Sequence, residues 1–281
     1  MFQKRAAAIH DISCFGKCSL TVALPILSAA GVETCPIPTA MLSTHTGGFT
    51  NIHIRDLTDD ILPVANHWAS LSLRMDALYT GYLGSFTQLD IVSEVFDKLK
   101  GEDTLIVVDP VMADHGKLYG GFSEDFPAGM AKLCAKADVI TPNFTEAALM
   151  LGEEFVEGPY TKEYVEGLLK RLSALGADTV VLTGVYFDDK QLGAAAYNAT
   201  TGEYVYAMSE WISGAFHGTG DIFTSVLLSA MLNNCSLQES LQIAADFVSA
   251  CVKRTRRDHD YMTYGVNFEA ELPALTRRLG L

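Results

Sequence analysis

Gly218, Gly220 and Asp221 stand at the start of a long apolar segment, and their types suit the binding of an anion. Glycine lets the backbone approach an anion closely, and the free N–H groups and positive dipole end of a helix favour phosphate. Asp221 falls in the first turn of the predicted helix, 220–233, and is directed at the same place. The alternative is that Asp221 merely caps a helix after a flexible turn.

Other polar residues come directly after short apolar runs that have the composition of buried strands. Asp109 follows the run 104–108, and Asn143 follows the run 138–141. In parallel sheets, ligands bind beyond the carboxyl ends of the strands. We therefore expect one site built from the segments that follow the strands, which are Asp11, 81–85, 109–114, 142–146 and 183–184.

The hydrophobic pattern predicts strands and helices that alternate along the chain. This alternation indicates an α/β fold with a mostly parallel central sheet and helices on both faces. The predicted strands are 6–12, 77–80, 104–108, 138–141 and 179–183, with a β-hairpin at 193–198 and 203–208. The predicted helices are 17–30, 88–100, 164–175, 220–233 and 236–254, the last of which opens with the capping box Ser236-x-x-Glu239.

Composition and missing motifs exclude several classes of protein. The 281 residues include 20 Lys and Arg against 34 Asp and Glu, which gives a formal net charge of −14. Such a chain gains nothing from counterion release on nucleic acid, and it lacks both a basic run for an anionic membrane and a membrane-spanning segment. The N-terminus does not read as a signal peptide, so we expect a cytoplasmic protein. The dinucleotide-binding and P-loop glycine patterns are absent.

Taken together, the motifs resemble the ribokinase-like superfamily, and within it most closely the pyridoxal and pyridoxamine (vitamin B6) kinases. The likeness extends from Ile9 to about Arg257, and it rests on Gly81-Tyr82-Leu83-Gly84-Ser85, Asp109-Pro110-Val111-Met112, Asn143-x-x-Glu146 and Gly218-Thr219-Gly220-Asp221. The resemblance implies a ribokinase-like three-layer sandwich, folded as a single domain over residues 1–281. It also implies ATP-dependent phosphorylation of the 5′-hydroxymethyl group of pyridoxamine, pyridoxal or pyridoxine, with Mg²⁺ as cofactor. A monovalent cation is a further candidate cofactor, and the family is typically homodimeric.

The resemblance also implies a role for each matching residue. Asp221 would take the proton from the substrate hydroxymethyl group, while the backbone N–H groups of Gly218, Thr219 and Gly220 would bind the transferred phosphoryl group. Asp114 and Glu146 would hold Mg²⁺. ATP would be contacted by Asn143, Thr183, Gly184, Asp109 and Tyr119, the last from a flap at 116–121. The vitamin pocket would be lined by Asp11, His45, Thr46 and Tyr82, with Ser13 as an alternative to Asp11.

Departures from the family pattern bear on the substrate and on the flap. The family usually has Ser where this chain has Asp11. An extra carboxylate there would pair with the amine of pyridoxamine or with a pyridinium N–H, which favours pyridoxamine. The flap at 109–119 is shorter than in better-known members. At a helix N-terminus, Asp221 is expected to have a depressed pKa, and we interpret His217 as incidental to the site.

Two other functions remain open. A hydroxymethylpyrimidine or hydroxymethylpyrimidine-phosphate kinase of thiamine synthesis shares the Gly-x-Gly-Asp segment and also acts on a flat hydroxymethyl heterocycle. A metabolite-binding protein without catalytic activity would have the same fold, but the presence of Asp221, Asn143 and Glu146 argues against it. A sugar kinase is disfavoured because no extended β-lid follows the first strand.

Overall fold

A nine-stranded sheet lies at the centre of the computed structural model, which describes residues 3–214, 216–258 and 264–281. The strand order is β11-β10-β9-β8-β5-β4-β1-β2-β3, and β6 and β7 form a separate hairpin. In chain order the strands are β1 (Arg5–Ser13), β2 (Glu33–Leu42), β3 (Ile54–Asp56), β4 (Ala77–Thr80), β5 (Leu105–Val108), β6 (Ala113–Asp114), β7 (Lys117–Leu118), β8 (Val139–Ile140), β9 (Thr179–Val185), β10 (Gln191–Asn198) and β11 (Tyr204–Glu210).

The middle of the sheet is parallel and its edges are antiparallel. The strands β2, β1, β4, β5, β8 and β9 run in the same direction, while β3 at one edge and the β10–β11 hairpin at the other pair antiparallel. The central strands are almost completely buried, which agrees with their continuous apolar runs. Because the central strands are parallel, the segments that follow them meet at one edge of the sheet.

Helices cover both faces of the sheet and form two apolar cores. The helices α1, α7, α8 and α9 pack on one face, and α2 to α6 pack on the other. In chain order they are α1 (Leu20–Ala29), α2 (Thr58–Ser70), α3 (Phe86–Leu99), α4 (Phe126–Cys134), α5 (Phe144–Leu151), α6 (Lys162–Ser173), α7 (Thr219–Leu232), α8 (Leu237–Arg257) and α9 (Leu272–Arg278), with a 3₁₀ turn at Glu269–Glu271. The predicted α/β fold with a mostly parallel sheet is confirmed.

Each strand and helix predicted from the sequence is present, with ends that shift by a few residues. The strand β4 has the predicted bounds, and the capping box of α8 forms as expected between Ser236 and Glu239. The strand β2 was not predicted, because Pro36 and Pro38 lie within it. Both prolines lie in the part of β2 that pairs with β1 alone, since β3 joins only from Ala40 onward. Proline is tolerated there because one edge of that part is unpaired.

The helix α7 begins at the expected site and is surrounded by other elements of the fold. It is buried on nearly all sides and packs against α1 and α8. The Tyr79 hydroxyl on β4 lies 3.5 Å from the Asp221 carbonyl oxygen and 3.3 Å from Ser225 Oγ, which joins the first turn of α7 to the centre of the sheet. Within the described ranges, each helix is too short or too polar to cross a lipid bilayer.

Candidate active site

A cavity of about 360 Å³ opens at the carboxyl edge of the parallel strands, next to the start of α7. It brings together residues that are far apart in the sequence, as the strand pattern predicted. The predicted residues that line it are Asp109, Asp114, Tyr119, Asn143, Glu146, Thr183, Gly184, Gly218, Thr219, Gly220 and Asp221. The residues predicted to bind phosphate, metal and ATP therefore share one cavity.

The N-terminus of α7 is built to receive an anion. Gly218 is the N-cap residue with φ 78°, and a β-carbon there would collide with the Lys17 carbonyl oxygen. Only glycine fits both the conformation and the space. No side chain caps this helix, so the first N–H groups of α7 remain available to a ligand at the cavity wall. Asp221 is not the N-cap residue of α7, which argues against the alternative that it merely caps the helix.

Asp221 stands in the first turn of α7 with its carboxylate at the cavity. Burial raises its pKa to about 7, a hydrogen bond from the Ser19 backbone N–H opposes this, and the charge of Asp11 raises it further. The expected depressed pKa is therefore wrong, because desolvation outweighs the helix dipole. A carboxylate with a pKa near 7 is a stronger base than an ordinary aspartate and is well placed to accept a proton.

Asp109 and Glu146 are buried carboxyl groups that line the same cavity as Asp221. Glu146 accepts hydrogen bonds from the backbone N–H groups of Asn143 at 2.9 Å and Met112 at 3.2 Å, and Asp109 Oδ2 lies 3.2 Å from the Thr224 hydroxyl. Burial raises the pKa of both groups. The charge of Asp221 adds to the shift at Asp109, and the charge of Asp109 adds to the shift at Glu146.

Asn143 fixes the geometry between α5 and the β6–β7 hairpin. Its Oδ1 accepts from the Glu146 N–H in a capping box, and its Nδ2 donates to the Ala113 carbonyl oxygen at 2.9 Å. The Gly116 N–H donates to the Thr145 hydroxyl at 2.9 Å, which gives the hairpin a second attachment to α5. One Nδ2 hydrogen of Asn143 is left for a ligand in the cavity.

The three remaining predicted ATP contacts approach the cavity from different elements. Tyr119 follows the hairpin and is 39% exposed, and its backbone N–H donates to the Met112 carbonyl oxygen at 2.8 Å. Thr183 and Gly184 lie in β9, where the register with β10 is irregular and Gly184 has φ 76°. This irregularity exposes the backbone of β9 at the cavity wall.

The oxygen donors at this edge of the sheet fit a magnesium ion that arrives with a nucleotide. Asp114 and Glu146 both line the cavity, and carboxylates are ligands that Mg²⁺ prefers. In the part of the chain that the structure describes, no group of three or more His, Cys, Asp or Glu side chains converges to hold a metal ion by itself. That agrees with Mg²⁺, which usually takes one or two carboxylates and completes its shell with phosphate oxygens and water.

The residues predicted to line the vitamin pocket lie beside this cavity rather than in its wall. Asp11 is 3% exposed, and the Ser13 hydroxyl donates to its Oδ2 at 3.2 Å, so the two alternative counterparts form one polar group. Burial raises the pKa of Asp11, and the hydroxyls of Ser19 and Ser13 oppose that shift. Burial and the charge of Asp11 raise the pKa of the half-buried Tyr82, which places the phenol near Asp11.

His45 is present at the expected edge, but both of its ring nitrogens are occupied. Nε2 lies 2.7 Å from the Tyr264 carbonyl oxygen, which can only accept, and Nδ1 lies 3.1 Å from the Gly47 N–H, which can only donate. These partners fix the neutral tautomer with hydrogen on Nε2. The His45 ring itself is buried and packs against Phe49 and His217. Thr46 is exposed in the same loop.

Sequence reasoning missed the apolar half of the cavity and His217. Leu192, Ile212, Phe223, Val248 and Val252 line the side formed by β10, β11, α7 and α8. Their sequence signal is the same as that of core residues, so no pattern could separate them. His217, interpreted from the sequence as incidental, also lines the cavity. Its position directly before Gly218 was the available signal.

The collision at Gly218 predicts a specific loss. Gly218→Ala should displace the first turn of α7, lower kcat by about 100-fold, and lower the free energy of unfolding by about 1 to 3 kcal/mol. Gly220→Ala is the matched control for folding, because nothing lies within 4 Å of a β-carbon there. Urea unfolding and steady-state kinetics measure both quantities. Wild-type kcat in Gly218→Ala would contradict the anion-binding turn.

The raised pKa of Asp221 predicts a pH-dependent gain in stability on substitution. Between pH 3.8, the ordinary pKa of an aspartate, and about pH 7, the Asp221 carboxyl group is ionised in the unfolded chain but protonated in the folded protein. The wild type therefore loses stability as the pH rises through this window. Asp221→Asn lacks this penalty. Its stability advantage over wild type should be larger at about pH 8 than at about pH 5, by about 2 kcal/mol.

Urea unfolding at the two pH values measures this difference. Asp189→Asn, which changes an exposed carboxylate in the β9–β10 connection, is the control and should show no such pH dependence. An equal advantage of Asp221→Asn at both pH values would contradict the burial of the Asp221 charge.

Comparison with known proteins agrees with this geometry. A family model described as phosphomethylpyrimidine kinase matches residues 24–264. The pyridoxal kinase of Lactobacillus plantarum superposes with a TM-score of 0.88 at 32% identity, covering 98% of this chain and 97% of that chain. A Bacteroides thetaiotaomicron protein provisionally named a phosphomethylpyrimidine kinase, in a crystal form with pyridoxal, gives a TM-score of 0.91 at 36% identity over 100% of this chain and 96% of its own.

A comparison of sequences alone also finds a vitamin B6 kinase among the relatives. The pyridoxine/pyridoxal/pyridoxamine kinase of Bordetella avium is 27% identical over 257 residues, which are 86% of this chain and 82% of that protein. The family match, the fold and the arrangement of the cavity agree. The chain belongs to the phosphomethylpyrimidine kinase family of the ribokinase-like superfamily, together with the pyridoxal kinases.

Proposed function

We propose that this protein phosphorylates the 5′-hydroxymethyl group of a B6 vitamer with ATP as the phosphoryl donor. The observation that carries the proposal is the uncapped N-terminus of α7, which shares one cavity with Asp221 and the buried carboxyl groups Asp109 and Glu146. The relatives give the substrate class. One is named a pyridoxal kinase, one a pyridoxine/pyridoxal/pyridoxamine kinase, and one was crystallised with pyridoxal.

In the proposed transfer, groups at the cavity carry out each step. Asp221 accepts the proton of the hydroxymethyl group as its oxygen forms a bond to the γ-phosphorus. The bond from that phosphorus to the β,γ-bridging oxygen breaks, and its electron pair leaves with ADP. The N–H groups of Gly218, Thr219 and Gly220 bind the phosphoryl oxygens, and Asn143 and Thr183 orient the phosphate chain. Transfer of this kind depends on positioning and charge neutralisation, which these groups provide.

We assign Mg²⁺ to the oxygen donors Asp114 and Glu146. The ion would neutralise charge on the phosphates of bound ATP. The apolar side of the cavity, formed by Leu192, Ile212 and Val248 among others, is where the nucleobase of ATP would fit. Tyr119 and the β6–β7 hairpin stand at the edge of the cavity, where they would cover the phosphates.

A second candidate substrate is a hydroxymethylpyrimidine, which the description of the family model favours. The same side chains would carry out that reaction, so the geometry of the phosphate end does not separate the two. A protein that only binds the metabolite is disfavoured, because Asp221, the Gly218 turn and the carboxyl groups Asp109 and Glu146 all line one cavity.

One assay separates these functions. Purified protein with Mg²⁺ and ATP is supplied separately with pyridoxal, pyridoxine, pyridoxamine and 4-amino-5-hydroxymethyl-2-methylpyrimidine, and both ADP and the phosphate ester are measured. We expect the ester from a B6 vitamer. Ester from the pyrimidine alone would assign the protein to thiamine synthesis. Asp221→Asn should bind the ligands and lose at least about 1,000-fold in turnover, and normal turnover in that variant would contradict the assigned base.

Asp11 gives a prediction about preference among the vitamers. Pairing of the buried Asp11 carboxylate with the amine of pyridoxamine would favour this vitamer, and a charged hydrogen bond of this kind contributes about 1.5 to 3 kcal/mol. Pairing with a pyridinium N–H, which all the vitamers share, would leave the preference unchanged. With the amine as the partner, Asp11→Asn should lower kcat/KM for pyridoxamine relative to pyridoxal by at least about tenfold. Ser13→Ala is the matched control, since it removes one donor to Asp11 and leaves the charge. An unchanged ratio in Asp11→Asn would show that this carboxylate does not set the preference.

Several expectations from the sequence stay predictions. They are the homodimer, the cytoplasmic location, the organisation as one domain over residues 1–281, and the monovalent cation.

A further inference from the structure

The phosphate end of the cavity is rich in negative charge and poor in cationic side chains. Asp109, Asp114, Glu146 and Asp221 all line it, and ATP would bring further negative charge. Among the described lining residues there is no Lys or Arg, and His217 is the one basic side chain. Hydrogen-bond donors directed at the transferring phosphoryl group stabilise the transition state of phosphoryl transfer. His217 is the one basic side chain of the described lining that could be such a donor.

Two lysines beside the cavity are engaged elsewhere. Lys17, whose carbonyl oxygen lies against Gly218, directs its Nζ to Asn267 Oδ1 at 2.8 Å and to Glu269 Oε2 at 2.9 Å. Lys253 on α8 forms an ion pair with Glu210 at 2.7 Å, on the apolar side of the cavity. Neither amine is available to the phosphate end as the structure stands.

His217 is held in a defined position, and its ring nitrogens have no hydrogen-bond partner among the residues that the structure describes. The ring packs against Gly47, where a β-carbon would collide with it, and its centroid lies 5.0 Å from the ring centroid of His45. Partial burial and the nearby His45 lower its pKa, and the charge of Asp114, in the β6–β7 hairpin, opposes this shift. Within the described residues, no hydrogen bond is made by His217, whereas both nitrogens of His45 are used.

We propose that His217 is a catalytic residue that donates a ring N–H hydrogen bond to the γ-phosphoryl group during its transfer from ATP to the hydroxymethyl oxygen. This inference rests on the proposed kinase function. The bonds made and broken are those already given: the hydroxymethyl proton goes to Asp221, and the leaving electron pair goes to ADP. His217 transfers no proton, and its hydrogen bond strengthens as charge moves onto the phosphoryl oxygens. The location directly before the Gly218 turn places the donor beside the backbone N–H groups of α7.

The competing explanation is that His217 only packs against His45 and Gly47 as part of the wall. Two substitutions separate a donor from a wall. His217→Phe keeps an aromatic ring in the same space and removes the N–H, while His217→Asn keeps an N–H donor on a smaller side chain. The readouts are kcat, KM for the vitamer, and the affinity for ADP alone and for ADP with aluminium fluoride, a mimic of the transferring phosphoryl group.

The proposal predicts that His217→Phe lowers kcat by about 100-fold and weakens binding of the ADP–aluminium fluoride complex by a similar factor, with ADP affinity within about twofold of wild type. His217→Asn should retain kcat within about tenfold of wild type. Unchanged ADP affinity also shows that the variant site is folded. Wild-type kcat in His217→Phe, or an equal loss for ADP and for its fluoride complex, would overturn the proposal.

The fluoride measurement also separates this inference from the proposed substrate. If the wild type phosphorylates no B6 vitamer, the proposed function fails. A selective loss of the fluoride complex in His217→Phe would still support His217 as a phosphoryl donor contact, and no selective loss would reject it.

Discussion

Four of the carboxyl groups that line one cavity lie at its phosphate end, and the arrangement around them depends on how their charge is offset. Asp109, Glu146 and Asp221 are shielded from water enough that burial raises the pKa of each, and Asp114 joins them at the rim. Burying unpaired carboxylates destabilises a folded protein. A cluster of buried carboxylates is stabilised when a bound cation and a charged ligand offset its negative charge. The positive N-terminus of α7 and a bound Mg²⁺ are suited to that task.

The fold supplies the elements that keep these groups together. The parallel strands β4, β5, β8 and β9 end at the same edge, so the residues that follow them meet there without long-range loops. Asn143 caps α5 and donates from Nδ2 to the Ala113 carbonyl oxygen, which ties α5 to the β6–β7 hairpin. The Lys17 carbonyl oxygen lies so close to Gly218 that only glycine fits the turn before α7. Because α7 is buried on nearly all sides, Asp221 and the N–H groups beside it are held in place before a ligand arrives.

The sequence was sufficient to predict strands and turns that depend only on residues close together in the chain. The run at 104–108 and the glycines of the 218–221 segment have one physical meaning each, and the structure confirms the strand and the turn. The strand β2 escaped prediction because Pro36 and Pro38 fit only where an edge is free of partners, which is a property of the sheet. The pKa of Asp221 was assigned the wrong direction because burial depends on the surrounding chain. Leu192 and Ile212 look like core residues until the cavity beside them is seen.

The most direct test of this account is a calorimetric titration of the wild-type protein with ADP, with and without Mg²⁺. If the carboxylate-lined cavity accepts a polyphosphate only with a cation, Mg²⁺ should tighten ADP binding by at least about tenfold. ADP that binds equally well or more tightly without Mg²⁺ would contradict the central claim that these carboxylates are offset by a cation shared with the nucleotide.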